Sequence, residues 1–163
     1  MFKRAFSVAP ALIIALICTS CLMGFAPKSV CLQTGLQDSS FEEQILREIN
    51  QYRQLKNLPA LQMNEAISVE ARKHSLEMAS GKSAFGHDGF DSRVTTINKQ
   101  LAGSKKFAEN VAYGHLSAKE VVGIWLNSAG HRRNIEGAFN LTGIGTSAKN
   151  DGTIFFTQLF VAR

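Results

Sequence analysis

The sequence runs out of cysteine early. Cys18, Cys21 and Cys31 are its three cysteines, and all lie in or just beyond an apolar N-terminal segment, so residues 32–163 can form no disulfide among themselves. Residues 41–163 must hold together by burial alone, and a chain of that length buries roughly two-thirds of its unfolded surface. Long basic runs are missing too. None exceeds two residues, as at Lys105–Lys106 and Arg132–Arg133, and no aromatic-rich strand motif accompanies one, which argues against a nucleic-acid partner. The formal charge of +5 overstates the basicity of the folded part, since Lys3, Arg4 and Lys28 precede it. What remains allows weak attraction to an anionic wall or membrane surface. Internal repeats and low-complexity stretches are also absent, and the length of 163 residues fits one domain behind a leader.

The leader is the first feature that is present. Lys3 and Arg4 form a basic start, and Ala5–Ile17 run apolar apart from Ser7, with Pro10 inside; these are the n-region and h-region of a secretory signal. Three exits from it compete. Cys18-Thr19-Ser20-Cys21 resembles a lipoprotein cleavage box in which Cys21 becomes the acylated N-terminus, although Cys18 stands where an aliphatic residue is usual. Ordinary cleavage near Ala26 would leave Pro27 directly after the cut. An uncleaved membrane anchor is the third exit, because the apolar character persists to about Ala26 and approaches the roughly 20 residues that span a bilayer. Each exit places the folded part outside the cytoplasm, as a cell-envelope lipoprotein, a secreted protein or a membrane-anchored one. The expected organisation is residues 1–26 as signal or anchor, 27–40 as a linker and 41–163 as the domain. Cys31 is left over, free or intermolecular.

Within the domain, Ser40 and Glu43 form a capping box, and Ile45, Ile49 and Tyr52 follow at helical spacing, predicting a helix from Phe41 to about Lys56. Asn64 caps a second helix whose stripe of Ile67, Ala71, His74 and Met78 faces a core and which Gly81 ends. On that stripe His74 reads as a core or boundary histidine. Gly86-His87-Asp88-Gly89 forms a loop, and Asp91 is expected to cap a shorter helix carrying Val94, Ile97 and Leu101 on one side. An extended segment should then pass through Glu109 to Tyr113. Ser117 and Glu120 make a second capping box, for a helix burying Val121, Val122, Trp125 and Ala129. Asn150-Asp151-Gly152 signals a hairpin turn before Thr153–Val161, a strand apolar on both faces and therefore central, with Ile154, Phe156 and Leu159 on one side and Phe155 and Phe160 on the other. The element order predicts an α+β fold, a three-layer α/β/α sandwich around a small, mainly antiparallel sheet.

Polar groups concentrate between Glu109 and Ile135, and His87 joins them from an earlier loop. Two imidazoles and a carboxylate, His87, Glu109 and His131, are the donor set of an open zinc site. Their spacings of 22 and 22 residues match no local metal motif, so three separately satisfied side chains are the alternative. Asn110 and Asn134 read as partners for buried backbone groups. Tyr113 and His115, just past the Glu109 segment, are candidate rim residues of a groove.

The order of short motifs then points to a family. Asn50 and Arg53 with Leu58-Pro59-Ala60-Leu61, Phe85 with Gly86-His87, Ala108-Glu109-Asn110-Val111-Ala112, Trp125-Leu126-Asn127-Ser128 with Gly130-His131-Arg132, Gly143-Ile144-Gly145 and Phe156-Thr157-Gln158 together resemble the CAP superfamily. That superfamily comprises cysteine-rich secretory proteins, antigen 5 of insect venoms and pathogenesis-related proteins of plants, and its short bacterial secreted members resemble this chain in particular. The resemblance implies the same α/β/α sandwich and a cleft with two His and two acidic residues that in some members holds a divalent cation. His87, Glu109 and His131 match three of those positions. Ser128 stands at the fourth, three residues after Trp125, so one anionic ligand is missing. The resemblance favours an extracytoplasmic binding module for a lipid, glycan or peptide, with zinc as the expected divalent cation. Two alternatives stand beside it. One is a hydrolase of envelope polymers or peptides, either metal-assisted or with Ser128 as nucleophile, His131 as base and Glu109 as orienter. The other is a cell-surface structural domain with a vestigial groove.

Overall fold

The computed structural model describes residues 40–163; the expectations for the signal, for Cys21 and Cys31, and for the linker up to residue 39 lie outside the described residues. Helix α1 (Phe41–Leu55) opens with the expected capping box: the Ser40 hydroxyl accepts from the Glu43 amide, and the Glu43 carboxylate accepts from the Ser40 amide at 3.1 Å. The short strand β1 (Gln62–Met63) follows, too brief to leave a periodic signal in the sequence. Asn64 caps α2 (Glu65–Ala79), its side-chain oxygen accepting from the Ile67 amide. Next come α3 (Phe90–Gln100), β2 (Lys106–Gly114), α4 (Ala118–Asn127), α5 (Ala129–Ile135), β3 (Leu141–Ala148) and β4 (Ile154–Ala162).

The four strands form one sheet in the order β1-β3-β4-β2, antiparallel except for the β1–β3 pair. One face packs against α1, α4 and α5, where Ile45, Ile49, Val121, Trp125 and Ile135 meet Ile144, Phe156 and Phe160. The other packs against α2 and α3, where Ile67, Ala71 and Ile97 meet Leu159 and Val161. This is the predicted three-layer sandwich, with β4 central and covered on both faces.

Three local expectations need correction. Leu159 belongs with the α2 side and Phe160 with Phe156 on the α1 side. Strict alternation requires this, but Gln158, itself fully buried, hid the period. The third helix is not capped by Asp91: it starts at Phe90 behind Gly89, whose φ of 76° lies in the left-handed region that glycine tolerates. Ala129 is exposed rather than buried, because Ser128, at φ −91° and ψ 120°, breaks the helix and starts α5 in a new direction.

Two glycines of the Gly143-Ile144-Gly145 motif explain how closely α2 lies on the sheet. A Cβ at Gly143 would collide with the backbone of Ile67 and Ser68, and one at Gly145 with that of Ala71 and Arg72. Ser75 adds a polar clasp at the same contact, its hydroxyl lying 2.9 Å from both Gly145 O and Thr157 Oγ1.

Arg53, only 1 % exposed, ties the other layer to the loops. Its guanidinium donates to the carbonyls of Pro59 (2.8 Å), Ile135 (2.6 Å), Gly137 (3.0 Å) and Phe139 (3.3 Å). Beside it Tyr52 donates to Glu136 at 2.6 Å. The outermost long strand, β2, is covered by helix side chains: Trp125 Nε1 donates to Val111 O and Asn134 Nδ2 to Glu109 O. Carbonyls at a sheet edge are otherwise a template for another chain, so these bonds oppose strand addition there.

Candidate functional site

Glu109 lies on the α2-facing side of β2, with its side chain 2 % exposed. A carboxylate taken out of water needs a partner, and it has two. Arg93 of α3 grips it with both prongs, Nε to Oε2 at 2.8 Å and Nη2 to Oε1 at 2.9 Å. This is the bidentate geometry that makes Arg–carboxylate pairs strong. His87 adds a bond from Nδ1 to Oε1 at 2.9 Å. Because a carboxylate accepts, Nδ1 carries the proton, and the imidazole side chain remains 55 % exposed.

The loop bearing His87 is fixed from both flanks. Arg93 Nη1 donates to Asp88 O at 2.8 Å, and His74 Nε2, from the buried stripe of α2, bonds Gly86 O at 2.9 Å. His74 is thus the core histidine the sequence indicated, with the added task of holding the loop. Arg93 was not among the candidate residues. Its one signal is that it falls four residues before Ile97, on the same buried stripe of α3.

His131 arrives from α5, on the other side of the strand. Asn110 and Asn134 dock that helix: Asn110 Nδ2 donates to His131 O, and Asn134 Nδ2 to Asn110 Oδ1 at 2.9 Å. Both asparagines satisfy backbone carbonyls, as expected. The His131 ring is half-buried, and its buried Nδ1 has no hydrogen-bond partner among the described residues. Burial, and secondarily the nearby His87, push its pKa below the ordinary histidine value. Glu136 accepts from Tyr52, while Arg132 donates to Leu126 O.

This arrangement separates the residues the sequence grouped. Glu109 and His87 are bonded, and His131 is close enough to feel His87. The Glu109 carboxylate, however, is given to Arg93 and His87, so it does not orient His131. Ser128 makes no side-chain cap bond at the start of α5, and no Ser128–His131–Glu109 relay is formed among the described residues. A divalent ion fits poorly as well. Among the described residues no three His, Cys, Asp or Glu side chains converge as a metal shell, and both Glu109 oxygens are already engaged by a cation.

An aromatic cluster lies farther along β2. Tyr113 stacks on Phe155, its cross-strand partner, with ring centroids 5.5 Å apart, and Phe85 meets Tyr113 edge-on at 4.7 Å. Phe85 and Tyr113 are 48 % and 56 % exposed, and Lys149 lies 5.1 Å from the Phe155 ring centroid. Tyr113 lies two residues along the same strand face from Val111 and four from Glu109. His115 lies farther on, against the β3–β4 turn, with Nε2 3.5 Å from Thr153 Oγ1 and its ring beside Gly152.

Residues 46–160 match the family model described as the cysteine-rich secretory protein family, CAP. The chain belongs to the CAP family. It is 34 % identical over 127 residues to the uncharacterized protein YkwD of Bacillus subtilis, a match covering 77 % of this chain and 48 % of that protein. The chain thus spans about half the length of that curated relative. Among solved structures, its CAP domain is similar to an extracellular SCP-domain protein of Bacillus anthracis (TM-score 0.63, 29 % identity, 75 % of this chain and 40 % of that one). It also shares its fold with an outer surface protein of Borrelia burgdorferi (TM-score 0.66, 22 % identity, 77 % and 96 %). The resemblance drawn from the motifs and the sandwich drawn from the element order are both confirmed. Of His87, Glu109, Ser128 and His131, Glu109 alone carries a carboxylate, and Arg93 pairs with it.

Proposed function

We propose that this CAP domain is an extracytoplasmic binding module whose groove runs from His87, Glu109 and His131 to the aromatic rim of Phe85, Tyr113 and Phe155. The observation that carries this reading is the double engagement of Glu109 by Arg93 and His87. A carboxylate held in that way is a fixed element of the wall, not a free base or an open metal ligand. It presents the His87 imidazole to solvent in one orientation. Open aromatic rings beside oriented polar groups suit a sugar ring or an extended peptide: the ring faces supply apolar contact, and the imidazoles supply hydrogen bonds. On this reading binding does not run through a divalent ion and leads to no turnover. The N-terminal leader, and the description of two neighbours as extracellular and outer-surface proteins, support the location. Mass spectrometry of the mature N-terminus would distinguish acylation at Cys21 from simple cleavage or an intact anchor.

The test is a binding assay on the full chain with three probes: a β-1,4-linked N-acetylglucosamine oligomer, an unstructured peptide library and phospholipid vesicles. Saturable binding to the oligomer or to peptides should survive chelation and weaken at least roughly tenfold in Tyr113→Ala. Binding abolished by chelation and restored by zinc would show that the groove is metal-dependent. Probe cleavage lost in Glu109→Gln would instead make it a hydrolase, preference for vesicles would identify a lipid site, and no binding to any probe would leave a structural domain.

A further inference from the structure

A cavity of about 450 Å³ opens where the end of α1 meets the α5–β3 connection and the last residues of β4. A space of that volume holds a small organic molecule. Its wall is mainly apolar, built from Leu58, Pro59, Ala138, Phe139 and Ala162, and shares no residue with the groove around His87 and Tyr113. The charge in this wall is unbalanced. Arg53 forms part of it while only 1 % exposed, and its guanidinium has carbonyls alone for partners. A covered charge without a counter-ion projects its field through a poorly polarisable wall, so Arg53 acts on the cavity through its charge and not by contact. Arg163 lies on the same wall, and Lys106 Nζ stands 4.8 Å from the centre of the Phe139 ring. Glu136 is the one acid among the lining residues, and one of its oxygens already accepts from Tyr52.

Arg53, Lys106 and Arg163 thus outweigh Glu136, and a terminal carboxylate at Arg163 still leaves positive charge in excess. Hydrogen-bonding capacity is skewed the same way. The carbonyls of Pro59, Gly137 and Phe139 are acceptors of this wall that Arg53 has already taken. Asn140 Oδ1 accepts from the Arg163 amide at 2.9 Å, so what Asn140 has left to offer is its N–H donors. What the cavity lacks is a negatively charged acceptor. We propose that it binds a small organic monocarboxylate, with the apolar body of the ligand against Leu58, Pro59 and Ala138 and its carboxylate toward Arg163 and Lys106. A carboxylate matches the planar fork of the Arg163 guanidinium. Its single charge matches the small positive excess better than a dianionic phosphate does, and the apolar wall requires more than a bare ion.

The experiment follows the methyl resonances of Ala138 and Ala162 in the full chain during titration with 3-phenylpropanoate. The neutral 3-phenylpropanol, acetate, 3-phenylpropyl phosphate and phosphatidylglycerol vesicles are the comparisons. A saturable shift with 3-phenylpropanoate is expected, at least roughly tenfold tighter than with the alcohol or with acetate and weakening as salt is raised. Arg163→Gln and Lys106→Gln should each weaken it severalfold. Glu136→Gln, which keeps an acceptor for Tyr52, should tighten it, and Tyr113→Ala, in the other groove, should leave it unchanged. The inference is overturned if 3-phenylpropanoate gives no saturable shift, if the alcohol binds as tightly, or if the phosphate binds more tightly. It is also overturned if the vesicles alone move these signals, or if removing a cation and removing Glu136 do not act in opposite directions.

Discussion

Two buried arginines divide the work of this molecule. Arg53 is surrounded by carbonyls and has no carboxylate partner; burial lowers its pKa, but the group remains charged at any working pH. Arg93 is held in a bidentate pair with Glu109 and also ties down the loop carrying His87. The first closes irregular segments whose carbonyls would otherwise be buried unmet, so it serves the fold. The second cancels the Glu109 carboxylate beside His87, so it determines what that carboxylate can do. Two residues of the same type and similar burial thus have separable consequences, and substitution can test the separation.

The largest effect is expected at Arg53. Arg53→Met leaves four carbonyls without their donor, and denaturant unfolding should show a loss of roughly 3–5 kcal/mol that no second-site change at an acidic residue repairs. Any fraction that stays folded should bind groove ligand with the parent affinity. A loss below about 1 kcal/mol would mean that water replaces the guanidinium and that Arg53 is no hub.

Arg93 should behave differently. Arg93→Met strands a buried carboxylate and should cost about 3 kcal/mol. Adding Glu109→Gln to it removes the stranded charge and should recover more than half of that loss, while Glu109→Gln alone, which leaves the guanidinium unpaired, should also destabilise. A double-mutant cycle with no coupling would dissolve the contrast between the two arginines.

The contrast also explains how much of the molecule was legible in the sequence. Capping boxes at Ser40 and Ser117, the α2 stripe and the turn at Asn150–Gly152 are local devices. Each works within a few residues, so sequence displays it, and the sandwich followed from their order. The pairing of Arg93 with Glu109 joins positions 16 residues apart, on elements whose relative placement only the assembled fold provides. Read alone, Arg93 is one more basic residue of a half-exposed helix. The grouping of His87, Glu109 and His131 came from their donor chemistry and then from the family resemblance, but neither indicated that Arg93 holds Glu109. The short β1 and α5 escaped for a related reason: β1 exists only by pairing with β3, and carrying the α4 helix on through Ala129 passed over the break at Ser128 that starts α5. The β4 register misled because a buried glutamine interrupted the apolar alternation.

The smallest effect concerns the surroundings of Arg53. Tyr52 donates to Glu136 at 2.6 Å, one residue from the carbonyls of Ile135 and Gly137 that Arg53 holds. That bond, followed by partial burial and the Glu136 charge, raises the Tyr52 pKa above its ordinary value of 10.0. Between that value and the folded one, the native state retains a proton that the unfolded chain has released. The contribution to stability is therefore complete below pH 10.0 and is lost as pH rises through the folded value. Tyr52→Phe should remove less than about 1 kcal/mol at neutral pH, because water reaches the pair, and should flatten the alkaline limb of the stability profile. If Tyr52→Phe instead costs as much as Arg53→Met, the clasp between α1 and the α5–β3 connection depends on the phenol, and the hub must be reassigned from Arg53 to its neighbour.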